Sequence, residues 1–177
     1  MLIMKLLGEL SLALEPLAEI DLGYPQGENV VLPPSRDAVA ILSAKHLENI
    51  EGLVEFYTAC DGVRLPDIHN GYFLRPIRSL IELDDAAEPR VVLSPSPIHV
   101  VYFGCTGGGD LLVVDRETGR VLLLPPGSLR EGVYNGSSGT VRVVGTGIAD
   151  FVENLVADVR AFVQGDLDRR YLSDWQK

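Results

Sequence analysis

Between Ile98 and Asp115, two apolar runs, Val100 to Phe103 and Leu111 to Val114, flank the bend Gly104-Cys-Thr-Gly-Gly-Gly-Asp110. Neither run alternates with polar residues. Both therefore read as strands buried on two faces, inside a sheet that other structure covers. Gly107, Gly108 and Gly109 admit positive φ, so the chain can turn sharply there without steric cost. The bend is then either a binding feature or a tight corner between core strands.

The 177 residues, 46% hydrophobic and 23% charged, suit one ordinary domain with an N-terminal extension. A chain of this length buries about 70% of its unfolded surface and needs no metal or disulfide to hold together. Cys60 and Cys105 are too few for a secreted disulfide framework and lack zinc spacing, which favours a reducing, cytoplasmic setting. The formal net charge of -10 and scattered basic residues argue against direct nucleic-acid binding. An acidic surface steers a basic partner toward itself. Met1 to Leu10 is apolar, but Lys5 and Glu9 interrupt it and no small-residue cleavage site follows. Ile3, Leu6, Leu7, Leu10, Leu14 and Leu17 share one helical stripe, which predicts an amphipathic helix. No run reaches the ~18 apolar residues of a membrane span.

From Gly23 to Pro34 the chain reads as a loop with one short strand, Val30 to Leu32. Ser35 is placed to cap a helix, and Leu47, Ile50, Leu53, Val54 and Tyr57 predict a second helix from Leu47 to Ala59. Asp61-Gly62 ends it, with Gly62 in the left-handed conformation. Strands are expected at Tyr72 to Leu74, Val91 to Leu93, Ile98 to Phe103, Leu111 to Val114, Val121 to Leu124 and Thr140 to Val144. A helical turn is expected at Ile77 to Leu83, before an acidic loop, Glu82 to Glu88. Ser94-Pro-Ser-Pro97 marks a break. Asp115 to Gly119 carries hairpin chemistry, and Asn135 to Gly139 reads as a loop. Ile148, Phe151, Val152, Leu155, Val156, Val159, Phe162 and Val163 predict a closing helix that Gly165 ends, followed by a charged tail expected to be mobile or an arm. The fold class is α+β: a mainly antiparallel sheet with N-terminal helices and a C-terminal helix packed on one side.

Gly145-Thr-Gly147 follows a strand and opens a helix, yet Asp150 stands where a dinucleotide fingerprint needs glycine or alanine. A plain helix-opening turn is the better reading. The bend at Gly104 to Gly109 lacks the lysine of a phosphate loop. Cys105 beside three glycines is a candidate nucleophile, with His99 six residues upstream as its base, but no third residue orients the pair. A buried cysteine that simply fills space is commoner. Asp110 and Asp115 bracket a strand and Asp84-Asp85 lie in a loop, with no spacing that unites an acid and a base or oxygen ligands for a cation. No catalytic residue, cofactor or metal is expected. Asp61 and Asp110 are left with turn geometry, or with charge presented to a partner.

The helix ending in Asp61-Gly62, Pro76-Ile77, the run Phe103-Gly-Cys-Thr-Gly-Gly-Gly-Asp-Leu-Leu112, the hairpin through Asp115 and Gly119, Val133-Tyr134 and the helix opening Ile148-Ala-Asp-Phe-Val-Glu-Asn-Leu155 form a pattern. It resembles the SMI1/KNR4 family of the SUKH superfamily from about Ser35 to Val163, most specifically at Gly104 to Asp115. One departure is that Leu47-Glu48 stands where the family's main helix usually opens on Leu-Pro, while Leu32-Pro33 comes earlier.

The resemblance implies a non-catalytic protein-binding domain. Bacterial members are commonly immunity proteins that neutralise a toxin, often a nuclease, and fungal members are regulatory interaction proteins. The expected division is residues 1–34 as an extension, 35–165 as the domain and 166–177 as the charged tail. The expected partner is another protein, a basic toxin domain, met by a monomer or dimer away from nucleic acid and membrane. The expected partner-binding surface joins Thr106, Gly107, Gly108 and Asp110 to Asp61 and Gly62. The alternatives are a regulatory scaffold and a small hydrolase or transferase using Cys105.

Overall fold

Why the two central strands tolerate apolar side chains on both faces is visible in the computed structural model, which describes residues 1–82, 88–94, 96–135, 141–166 and 168–174. A ten-stranded, mainly antiparallel sheet curls until one arm covers its own back. Strands β1 (Val30–Val31), β2 (Val63–Leu65) and β3 (Tyr72–Leu74) lead to β5 (Ser96–Thr106). On β5 the sheet divides. One arm runs through β6 (Leu111–Asp115) and β7 (Val121–Leu124) to β10 (Arg142–Gly145), the other through β4 (Val91–Ser94) and β9 (Val133–Asn135) to β8 (Ser128–Arg130). The pairing of β4 with β9 is parallel.

Helices α1 (Leu2–Leu14), α2 (Ala38–Ala44), α3 (Leu53–Ala59) and α5 (Ile148–Gln164) surround the larger core, with a short α4 (Ser79–Glu82) after β3. In that core Phe103 of β5 meets Phe56, Tyr57 and Phe151 edge to face. A smaller core of Val92, Val100, Val113, Leu122, Leu124 and Tyr134 lies on the other side, under the β4–β9 arm. The expected α+β class holds, and the cover on the second face is the sheet's own arm rather than more helices.

The N-terminal segment, expected as an extension, supplies Ile3, Leu6, Leu7, Leu10 and Leu17 to the same core as Phe103 and Leu155. Each such side chain contributes about 1.5–3 kcal/mol on burial. Local geometry corrects several boundaries. Helix α2 begins at Ala38, and Ser35 Oγ accepts the Asp37 N–H at 3.4 Å in the preceding turn rather than capping the helix. Helix α3 begins at Leu53 instead of Leu47, because Gly52 takes φ +78 and breaks the run. The resulting turns still deliver Leu47 and Ile50 to the core. Cys60 is extended and ends α3, while Gly62 takes φ +103 two residues later.

The break at Ser94 to Pro97 is the tight β4–β5 turn, with Ser94 opposite Ser96 and Leu93 opposite Pro97. The Asp115 hairpin forms as expected, its Oδ1 accepting the Glu117 N–H at 2.9 Å and Gly119 taking φ +72. Most of the acidic loop with Asp84-Asp85, residues 136–139 of the Asn135 loop, Thr140 and Trp175 to Lys177 lie outside the described residues.

Candidate functional site

The glycine bend closes on itself. At its base the Thr106 N–H donates to the Asp110 carbonyl at 2.9 Å, and the Gly109 N–H donates to the Thr106 carbonyl at 3.1 Å. The Thr106 hydroxyl donates to Asp110 Oδ2 at 2.9 Å, and the Asp110 N–H donates to Thr106 Oγ1 at 3.2 Å. Both side chains are 3% exposed. Asp110 therefore secures the turn and does not offer its charge at the surface; the outer part of the bend is the exposed backbone of Gly107, Gly108 and Gly109. Gly107 donates to the Gly71 carbonyl at 3.2 Å, and a Cβ there would stand 2.4 Å from the Asn70 oxygen. Glycine is needed at that position for close approach.

Asp61 and Gly62 also serve the frame. Asp61 Oδ1 accepts the Ile77 N–H at 2.7 Å, and a Cβ on Gly62 would meet the Leu74 oxygen at 2.5 Å. The bend packs on Gly71, at the start of β3, while Asp61-Gly62 packs on Leu74 and Arg75, at its end. The two halves of the expected surface thus occupy opposite ends of one strand.

His99 and Cys105 lie on the same strand, β5, six residues apart. At about 3.3 Å per residue that is roughly 20 Å, so the bend does not bring them together. Cys60 is buried, and burial pushes its thiol up to about 12. Tyr102 is likewise pushed up to about 12, by burial first and then by the neighbouring Cys105 thiol. Arg75 stacks on the Tyr102 ring at 4.4 Å, donates to the Ser79 carbonyl at 2.8 Å and lies 2.7 Å from Glu88 Oε1. This last contact is an ion pair without hydrogen-bond alignment, and Arg75 Nη1 is buried with no acceptor among the described residues. Among those residues no cluster of three or more metal-ligating side chains occurs. Gly145-Thr-Gly147 is a helix-opening turn, in which the Thr146 N–H and hydroxyl donate to Asp150 Oδ2 at 2.7 and 2.9 Å.

The densest polar network lies where the sequence predicts a charged tail. Asp158, fully buried on α5, accepts the Arg169 Nε–H and Nη2–H on Oδ1 at 3.0 and 2.8 Å. Its Oδ2 accepts the Tyr72 hydroxyl at 2.7 Å and the Leu172 N–H at 2.9 Å. His69 Nε2 sits 2.7 Å from Asp174 Oδ1, and the His69 ring stacks on Tyr171 with centroids 4.3 Å apart. Arg142 donates to the carbonyls of Leu172 and Asp174. Residues 169–174 are therefore a docked strap, the arm rather than the mobile tail of the two expected forms. The sequence carried a signal for it: Asp158 interrupts the apolar face of the closing helix, and a buried carboxylate requires a cation and donors.

With its polar groups so engaged, the chain presents an ordered frame and a carboxylate-rich exterior. No helix among the described residues is long and apolar enough to cross a membrane. Comparison with protein-family models, with curated proteins and with solved structures finds no match to this chain.

Proposed function

We propose that this chain is a non-catalytic binding domain that neutralises a basic, nuclease-type toxin by covering it. The observation that supports the reading is the acidic balance of the chain, a formal net charge of -10. Arg75, Arg142 and Arg169 turn inward to carbonyls and carboxylates, and Arg64, Arg78 and Arg160 are taken up in ion pairs. Exposed Glu15, Glu19, Glu48, Glu51, Glu117 and Glu153 have no cationic partner among the described residues, and exposed Arg36, Lys45, Arg116, Arg120, Arg130 and Arg170 have no carboxylate partner there, so the acidic bias is that of the whole chain.

Three of these glutamates lie on two turns that meet at one corner, which they share with Arg116. A Cβ on Gly119, in the β6–β7 hairpin, would lie 3.5 Å from the Glu51 Cβ. That contact sets the hairpin carrying Glu117 against the turn carrying Glu51, and Arg116 of the same hairpin donates to the His46 carbonyl at 3.3 Å. Carboxylates gathered this way can stand where a nuclease holds phosphates. They accelerate encounter through the long-range field, and buried contacts set the lifetime of the complex. The corner replaces the glycine bend as the binding surface, because Asp110 is buried and Glu48, Glu51 and Glu117 are exposed.

The test uses the purified chain as bait in a lysate of its source organism, beside the variant Glu48→Lys, Glu51→Lys, Glu117→Lys. The wild type should retain a basic protein that is toxic when expressed alone. The variant should associate with it roughly ten- to a hundredfold more slowly at low salt. Unchanged association would remove the acidic corner from the argument. Recovery of several non-toxic host proteins would favour a regulatory scaffold instead.

A further inference from the structure

Helix α1 contains a glycine that its own fold does not use. Gly8 sits in the middle of the helix, where glycine weakens it relative to alanine. A Cβ there would meet nothing within 4 Å, so neither tight packing nor a left-handed backbone requires glycine. Its neighbours along the outer stripe are Met4 and Leu12, each four residues away and therefore on the same face. They are 59% and 62% exposed. The opposite face of α1 already packs on α3 and α5. The helix is thus apolar on both sides, a pattern expected of one covered on both sides.

We infer that this outer face is a homodimer contact, in which α1 of a second copy crosses antiparallel with Gly8 against Gly8. Three observations select a second copy as the occupant. Met4 and Leu12 are equidistant from Gly8, so a two-fold axis at Gly8 sets each Met4 on the partner's Leu12, the self-complementarity a symmetric interface requires. The glycine lets the helix backbones approach at the crossing point. Lys5 and Glu9 share one flank of the stripe on either side of Gly8, 3.6 Å apart within the chain. The same axis brings Lys5 of each copy beside Glu9 of the other. The apolar side chains with Gly8, Ser11 and the Lys5 stem offer roughly 500 Å² per copy, about 1,000 Å² in total, the lower bound for a specific interface. The dimer is correspondingly weak, with a dissociation constant of about 1–100 µM.

Sedimentation velocity on the full chain from 5 to 500 µM tests this. Wild type should pass from monomer to dimer across that range. Gly8→Glu, which faces two carboxylates at the crossing, should raise the dissociation constant at least tenfold while the dilute monomer melts no lower than wild type. Lys5→Glu should weaken the dimer severalfold, and adding Glu9→Lys should restore most of the loss, although Glu9 also holds Arg160 at 3.0 Å. Wild type that stays monomeric at 500 µM, or a dimer indifferent to Gly8→Glu, overturns the proposal. A Gly8→Glu variant that only melts higher would show the glycine to be an unoptimised helix position.

Discussion

Replacing Asp158 with alanine should undo the C-terminal strap. The carboxylate is fully buried and accepts four hydrogen bonds: two from Arg169, one from the Tyr72 hydroxyl and one from the Leu172 N–H. Without it the strap can stay docked or leave. If it stays, the Leu172 N–H loses its acceptor, at about 1–3 kcal/mol, and the Arg169 guanidinium remains three-quarters covered without a counter-charge. Tyr72 keeps only Ser173, its hydroxyl at 3.3 Å and its N–H at 3.4 Å. If the strap leaves, its contacts with Tyr72, His69 and Arg142 go with it. The smaller of these costs is about 3–4 kcal/mol, which for a chain of this size lowers Tm by roughly 6–16 °C. Urea and thermal unfolding at neutral pH measure it, and faster tryptic cleavage after Arg169 and Arg170 reports the release directly. In a double-mutant cycle, Arg169→Ala on top of Asp158→Ala should cost at least ~1 kcal/mol less than the sum of the single changes. A loss under ~1 kcal/mol, or strict additivity, would show that the ion pair does not hold the strap.

Asp110→Lys should destabilise the fold by about 2–4 kcal/mol in urea unfolding, because it sets an uncompensated cation on the buried Thr106 hydroxyl. Gly108→Ala, where the added methyl meets only ordinary contacts at 3.6 Å, should stay within ~0.5 kcal/mol of wild type. Cys60, its thiol pushed from 9.0 up to about 12, should resist thiol reagents at pH 8 until the protein unfolds. Between those two values the folded state keeps a proton that the unfolded state loses, so stability is full below pH 9 and declines as pH climbs toward 12. Burial raises Tyr57, Tyr72 and Tyr102 as well, so an alkaline melt should fall steeply over the same range. Deleting residues 1–34 removes Ile3, Leu6, Leu7, Leu10 and Leu17 from the core, roughly 8–15 kcal/mol, comparable to the whole stability of a domain. The remainder should lack a cooperative melt by calorimetry.

Where hydrophobic period decided the structure, the chain was legible. The stripe from Ile148 to Val163 is the long helix, and the unbroken runs on either side of the bend are doubly buried strands. Long-range pairing was not legible. Nothing local says that β4 joins β9 in parallel to cover the back of the sheet, since that contact unites segments some forty residues apart. The helix expected from Leu47 failed at one residue, Gly52, whose left-handed backbone is compatible with the same buried stripe. The bend was recognised as a turn, but the depth of Asp110 was hidden. A carboxylate after three glycines reads as exposed until its side chain is seen bonded to buried Thr106, with Gly107 packed on Asn70 and Gly71. The docking of the strap is not legible in its own short run of mostly polar residues, although Leu172 packs on the core; only Asp158, a charge on an apolar helical face, announces a partner.

Helix α5 is where both ends of the chain converge, and this constrains where a partner can bind. Helix α1 lies along one side of it, and the strap reaches Asp158 on it from residues 169–174. The remaining sides rest on the core through Phe151, Val152, Leu155 and Val159. Near its start, Ile148 of α5 and Ile3 of α1 pack on Gly52, next to exposed Glu51. A partner there touches a rigid junction of α3, α5 and the β6–β7 hairpin, so little order is lost on binding, which favours affinity from a modest contact. The start of α1 reaches the same turn through Ile3, while the proposed dimer face is the side of α1 turned away from Ile3, so in the proposed dimer each copy would keep its own corner. Dimerisation of that kind would double the valency of the assembly.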